Sequence, residues 1–224
     1  MNDDQGGCGR RAGYHHGRLK EALIEAARRL AAERGIAGVS LAEIAKRVGV
    51  TAAAPYRHFA DRDALMSELA RRGFAQFSDE LLAAWDGGTP DPVAAARRMG
   101  EAYLAFARRE PGLYASMFGQ AAALDAPASG AAADRALDAL RRAASAMLAR
   151  AGAPQGDARA LAMQIWSLAH GVAMLTISGH LAPGRAGCDP ADVLGPGVKA
   201  LVESAARAAG EAAPERAAPW GKKG

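Results

Sequence analysis

Tyr56, Arg57, His58 and Phe59 stand in a row at the end of VGVTAAAPYRHF, residues 48–59, behind three alanines and a proline. Cations and rings carried behind a nearly bare stretch of backbone suit a nucleic-acid duplex. Ala52, Ala53 and Ala54 have almost no side chain, so the main chain there can come close to a major groove, and an alanine methyl can touch a thymine methyl. Few bidentate base contacts are available from such an end. Base discrimination is therefore expected to lean on Arg57, on Lys46, and on the shape and deformability of the DNA. Charge placement points the same way: residues 10–60 hold ten Arg/Lys against four Asp/Glu, whereas residues 61–224 hold eighteen of each. A local basic excess fits a polyanion, although solvated helix faces give the same count.

Those side chains need helices to position them. HGRLKEALIEAARRLAAERG, residues 16–35, places Leu19, Leu23, Ala26, Ala27 and Leu30 on one face, with Gly35 as a stop. Ser40 and Glu43 then have capping-box spacing, and Leu41, Ile44, Ala45 and Val48 repeat as i, i+3, i+4, i+7, which predicts a short second helix ending before Gly49. A third short helix follows, and two caps compete for it. Thr51 can cap a helix running to about Phe59, with Pro55 then costing one hydrogen bond; Ala54 can cap a shorter one with Pro55 in the first helical position. The longer helix from Thr51 is the preferred reading. Two short helices around a glycine-containing turn make a helix-turn-helix.

The stretch SLAEIAKRVGVTAAAPYRHFADRDAL, residues 40–65, resembles the N-terminal signature of the TetR/AcrR family of transcriptional regulators. YHHGRLKEAL and the later WSLAHG resemble the subset whose C-terminal domain carries a Trp/His/Gly motif. The family's pattern of a long helix opening with a basic residue is met, with Arg62 standing at the usual lysine, and one departure is visible at Pro55, where a leucine is commoner. The resemblance implies that Tyr56 and His58 contact phosphates, that Thr51 and Arg62 do so as well, and that Phe59 anchors the motif in the core. With Ser40, Lys46, Ala52, Ala53 and Arg57 these form the candidate DNA-binding set. Arg10 and Arg11, in a glycine-flanked leader, could form an arm that reaches the minor groove or the backbone.

Beyond residue 60, Leu65, Met66, Leu69, Phe74, Phe77, Leu81 and Trp85 mark a long helix ended by DGG. Asp91 and Pro92 open another that runs to about Arg109, and Pro111 opens a shorter one through Tyr114 and Phe118. ALDAPASG reads as a flexible loop before a helix from about Ala131 to Ala151. Residues 160–182 then contain no Asp, Glu, Lys or Arg. That stretch is long enough to raise a transmembrane helix, but Gln164, Ser167, His170, Thr176 and Ser178 interrupt it. A helix apolar on nearly all sides otherwise lies between a core and a second subunit. After the broken DPADVLGPG, the stripe Val198, Leu201, Val202, Ala205 and Ala209 completes a pair of C-terminal helices resembling the four-helix interface of TetR-like homodimers.

Candidate ligand-binding residues are Tyr103, Phe106, Tyr114, Met117, Phe118, Met163, Trp166 and His170, although methionine and aromatic residues at helical spacing more often form core. Trp166 and His170, four apart, share one helical face. The expected architecture is all-α: a flexible arm over 1–14, a three-helix helix-turn-helix domain over 15–77, a helical ligand-binding and dimerisation domain over 78–209, and a flexible tail over 210–224. The high alanine content and the 5% aromatic share favour close-packed helices over strands.

Cys8 and Cys188 match neither a disulfide framework nor a thiolate metal site, and MNDDQGGCGRR lacks the features of an export signal, so a cytoplasmic protein is expected. A glycine-rich phosphate loop, an HExxH pair, a nucleophile elbow and CxxC are all missing from the sequence, which argues against an enzyme, and no cofactor is expected. The expected partners are an operator duplex, a small and largely apolar effector that releases it, and a second copy, with no membrane. The competing reading is a helical module that acts through protein partners without reading DNA.

Overall fold

The computed structural model describes residues 11–119, 127–181 and 189–211. Every regular element among them is helical. They are α1 (Arg11–Arg34), α2 (Leu41–Val48), α3 (Arg62–Trp85), α4 (Pro92–Arg109), α5 (Pro111–Phe118), α6 (Pro127–Arg150), α7 (Ala158–Ile177) and α8 (Pro190–Glu211), with 3-10 turns at Ile36–Gly38, Pro55–Arg57 and Asp86–Gly88. The chain forms two compact units. One takes the chain up to Gln76 together with Glu110–Ala132, the other Phe77–Arg109 and the chain from Ala133 onward. The first therefore contains α5, in addition to the helices that residues 15–77 suggested.

In that first unit the apolar faces of α1, α2 and α3 close on one another through Leu23, Ala27 and Leu30, Ile44, and Leu65 and Leu69, all buried. Close approach of main chains explains why α5 joins them. A Cβ at Gly112 would lie 2.1 Å from the Arg28 carbonyl oxygen, and one at Gly73 would lie 2.8 Å from Met117 Cγ, so α5 packs against both α1 and α3 where glycine leaves room. Ion pairs tie the same helices: Arg28 bonds Glu25 on α1 and Glu110 just before α5, while Arg72 of α3 bonds Glu68 and reaches Glu21 of α1.

These contacts set a pH dependence. The hydrogen bond from Arg28, with a second from Arg29, holds the Glu25 carboxyl at about 2 despite the opposing effect of burial. Arg71 and Arg72 hold Glu68 at about 2 in the same way. A carboxylate whose folded pKa lies below its unfolded value of 4.5 adds stability above that value and loses it as pH falls through the folded one. The melting temperature is therefore expected to drop progressively as pH is lowered from about 4.5 to about 2, and Glu68→Gln should flatten the fall. Calorimetry across that window checks this, and a melting temperature independent of pH there would contradict it.

In the second unit Phe77 of α3 stacks edge-on against Tyr103 at 5.0 Å and Phe106 at 5.2 Å between ring centroids. Beside them α6 and α7 share a core of Ala144, Met147, Leu148, Leu161, Ala162 and Ile165. The stripe Val198, Leu201, Val202, Ala205 and Ala209 of α8 packs onto that core, so it is used inside the unit. Asp91 caps α4 as its position suggests, accepting from the Val93 and Ala94 amides at 2.9 and 3.1 Å.

Several element bounds differ from the sequence pattern. α1 begins at Arg11, so residues 11–14, expected in an arm, are helical; Gly13 and Gly17 lower helix propensity without ending the helix. Pro127–Arg150 is helical from its first-turn proline, which removes the end of the expected ALDAPASG loop. α8 runs unbroken through Pro196. Proline removes one hydrogen bond there, but Leu194 is buried and a Cβ at Gly197 would lie 2.6 Å from Leu168, so packing against the neighbouring helices holds the segment helical. Arg10, Cys8, Cys188 and most of the expected tail lie outside the described residues.

Candidate nucleic-acid interface

The site is built from the end of α2 onward. Ser40 Oγ accepts the Glu43 amide at 3.2 Å and fixes the start of α2. At the other end Gly49 sits at φ 79°, ψ 33°, and the bonds from Val50 N to Ala45 O and from Gly49 N to Lys46 O, at 3.0 and 3.2 Å, close a Schellman turn. Only a residue at ease in the left-handed region fits that turn, which is the physical reason for glycine at this position.

The third helix differs from the preferred reading. Thr51 does not cap a helix running to Phe59; Pro55–Arg57 forms a 3-10 turn with Ala54 at its cap and Pro55 in its first position. A helix starting after Thr51 would need an N–H at residue 55 to reach the Thr51 carbonyl, and proline has none. That carbonyl instead accepts from Ala54 at 2.9 Å, after which His58 and Phe59 both donate to the Pro55 carbonyl at 2.9 and 3.0 Å. Two successive tight turns replace one longer helix. Pro55 is buried beneath them, as is Phe59, whose ring lies 5.8 Å from Lys20 Nζ.

The candidate contacts divide sharply by what already holds them. Tyr56 is 60% exposed, and Lys46, Thr51, Ala52, Ala53 and Arg57 are exposed as well. Among the described residues no hydrogen bond or ion pair engages the side chains of Lys46, Thr51, Tyr56 or Arg57. Arg47, next to Lys46, is by contrast locked to Glu33 through two bonds of 2.7 Å. Ser40 is occupied as a cap, and His58 is half-buried. Arg62 donates to the carbonyls of Val39 and Ile36 at 2.8 and 2.7 Å.

The candidate ligand residues also separate. Tyr114, Met117 and Phe118 lie in the first unit, where Phe118 rings with Phe74 at 5.6 Å and Tyr114 at 5.0 Å. Tyr103, Phe106, Trp166 and His170 lie in the second. Tyr103 Oη stands 3.4 Å from His170 Nδ1, and the Trp166 and His170 rings are 6.1 Å apart. Burial lowers the His170 pKa, so the ring is neutral near pH 7, with one nitrogen that donates and one that accepts. Phe77, which meets both Tyr103 and Phe106, belongs to this group, although the sequence marks it only as part of an apolar stripe; ring-to-ring contacts between helices leave no mark on either helix's own periodicity. Met163 lies on the same helix as Trp166 and His170. It is 38% exposed and lines an open cleft of about 600 Å³ with Gln164, Ser167, Leu168, Gly197, Ala200 and Leu201.

Residues 23–69 match the family model for bacterial regulatory proteins of the tetR family, and residues 96–201 match that of a tetracyclin repressor-like C-terminal domain. The uncharacterized HTH-type transcriptional regulator YobS of Bacillus subtilis is 31% identical over 98 residues, which cover 44% of this chain and 50% of that protein. The match thus spans about half the length of this curated relative. A structure of a protein of unknown function from Rhodococcus sp. RHA1 superposes with a TM-score of 0.71 at 29% identity, covering 88% of this chain and 100% of that one. The TetR family regulator PfmR from Thermus thermophilus shares the fold with a TM-score of 0.62 at 18% identity, over 80% of this chain and 96% of its own. A short helix α2 closed by a Schellman turn and followed by tight turns into α3, a second unit whose described regular elements are all helical, and two family models that meet these parts in order lead to one assignment: the chain belongs to the TetR family of transcriptional regulators.

Proposed function

We propose that two copies of the chain pair along α7 and α8, grip an operator duplex through their helix-turn-helix units, and release it when a small, largely apolar ligand enters the second unit, so that the protein acts as a cytoplasmic repressor. As a TetR-family regulator with a DNA-binding domain it is a transcription factor and not an enzyme. The observation that carries the proposal is the set of exposed, unengaged side chains around the turn, Lys46, Thr51, Tyr56 and Arg57, beside an arginine, Arg47, that is tied down. Two of these side chains, Lys46 and Arg57, are exposed cations with no ion pair among the described residues, which suits an outside anion.

Pairing is supported by α7. Its inner side buries Leu161, Ile165, Ala169 and Val172, yet Met163, Gln164, Ser167, Gly171, Met174 and Leu175 are exposed along the other side with no charge among them. The helix is long and apolar enough to cross a membrane, with mean hydropathy 1.4. Its inner side is already committed to a protein core, however, and Gln164 would have to be desolvated against lipid. A second copy of the same surface covers such a face with two-fold symmetry. An effector site is supported by Tyr103, Phe106, Trp166 and His170, an aromatic group with one polar pair that suits an apolar molecule bearing a single hydrogen-bonding group.

The test is a titration of the duplex upstream of the protein's own gene across a range of salt. Binding that weakens linearly in log salt is expected, because each phosphate contact releases counterions. Absence of binding even in dilute buffer would favour the reading as a protein-binding module.

A further inference from the structure

We infer that Arg62 is a positioning residue for DNA recognition: from the first position of α3 it clamps the turn that sets the start of α2, in place of the phosphate contact that its position in the motif suggests. The inference rests on the DNA-binding reading above. Arg62 Nε donates to the Val39 carbonyl at 2.8 Å and Nη2 to the Ile36 carbonyl at 2.7 Å, while Nη1 faces Asp63 Oδ1 at 3.2 Å. Nε and Nη2 are therefore committed to main-chain carbonyls and Nη1 to an exposed carboxylate, with 31% of the side chain left exposed. The two carbonyls belong to the 3-10 turn Ile36–Gly38 and to the residue that closes it, immediately before the Ser40 cap of α2. By holding them, Arg62 ties α3 to the loop that aims α2, the helix bearing Lys46.

The surroundings argue against a phosphate at this corner. Asp61 and Asp63 are exposed on either side of Arg62, which gives the three residues a net negative charge. Asp61 Oδ1 already accepts the Ala64 amide at 2.7 Å, occupying an N–H that an anion at the start of α3 would use. A planar fork of donors spans two carbonyls at once, and a lysine ammonium on a flexible stem does so poorly. Arginine in place of lysine here is thus a change of job.

The experiment compares the wild-type protein with Arg62→Lys and Arg62→Gln in duplex titrations across salt, using the DNA upstream of its own gene. Arg62→Lys keeps the charge and loses the bridge. It is expected to weaken binding about tenfold at every salt concentration, with the slope of log affinity against log salt unchanged, and Arg62→Gln is expected to give a similar parallel loss. Wild-type affinity for Arg62→Lys, together with a slope reduced by about one for Arg62→Gln, would overturn the inference in favour of a phosphate contact. Should either variant lose its helicity, side-chain NMR of the wild-type protein decides. An Arg62 Nε–H that is protected from exchange without DNA and unshifted by it is expected, whereas fast exchange and a shift on adding DNA would overturn the assignment. Wild-type protein that binds no duplex would remove the DNA-binding reading and this inference together.

Discussion

Arg57→Ala is expected to weaken binding to the operator duplex by about ten- to hundredfold, the effect of losing roughly 1–3 kcal/mol of contact to a base edge or phosphate. The side chain is exposed, and among the described residues it holds no hydrogen bond or ion pair, so its removal leaves the fold unaltered and the loss appears in affinity alone. Thermal unfolding should be unchanged within about 0.5 kcal/mol, as for surface substitutions away from caps and cores. The alanine-rich approach sharpens the expectation. Ala52 and Ala53 have no side-chain hydrogen-bonding groups, so Arg57 is expected to carry a larger share of discrimination than in a turn headed by asparagine or arginine. Anisotropy titrations against the operator and against a scrambled duplex check this. Equal affinity of wild type and variant for the operator would refute the role.

A second substitution, in the second unit, should also act on DNA binding. Leu175→Glu places a carboxylate on the uncharged side of α7, where Met174 and Leu175 are 47% and 46% exposed in the single chain. If that side is covered by a second copy, two-fold symmetry brings two such carboxylates into one desolvated patch, at a cost of several kcal/mol. Dimerisation is then expected to weaken by about a thousandfold. Operator binding should fall with it, because the second helix-turn-helix no longer binds at the effective concentration set by the first. Sedimentation of the variant as a monomer with native helicity is the expected result. A variant that remains dimeric would show that the chains pair elsewhere, or that α7 is covered in another way.

Features governed by bonds a few residues long were legible in the sequence, and those governed by distant contacts were not. Ser40, Gly49 and Asp91 act on amides or carbonyls within five positions of themselves, and each stands where the sequence pattern placed a cap or a turn. Pro55 posed the same kind of local problem. Its missing N–H decides in favour of the shorter turn, and the preferred reading gave that one lost bond too little weight against the length of helix gained. Nothing local reports that Gly112 lets α5 meet the Arg28 carbonyl, so the place of Tyr114, Met117 and Phe118 in the first unit leaves no trace in the sequence pattern. Arg62 is the same case: its partners Ile36 and Val39 lie more than twenty positions away, and their carbonyls carry no side-chain signature. The run through Pro196 in α8 follows from Leu194 and Gly197 fitting against neighbouring helices, a tertiary effect that overrides the local cost of proline.

The central claim, a pair of chains on one duplex, is tested most directly by the mass of the complex. Light scattering on purified protein mixed with the upstream duplex in low salt should report two chains, or a multiple of two, per DNA, with half-sites about one helical turn, roughly 34 Å, or a multiple of it apart. A single chain per duplex, or protein that elutes as a monomer beside unbound DNA, would contradict it.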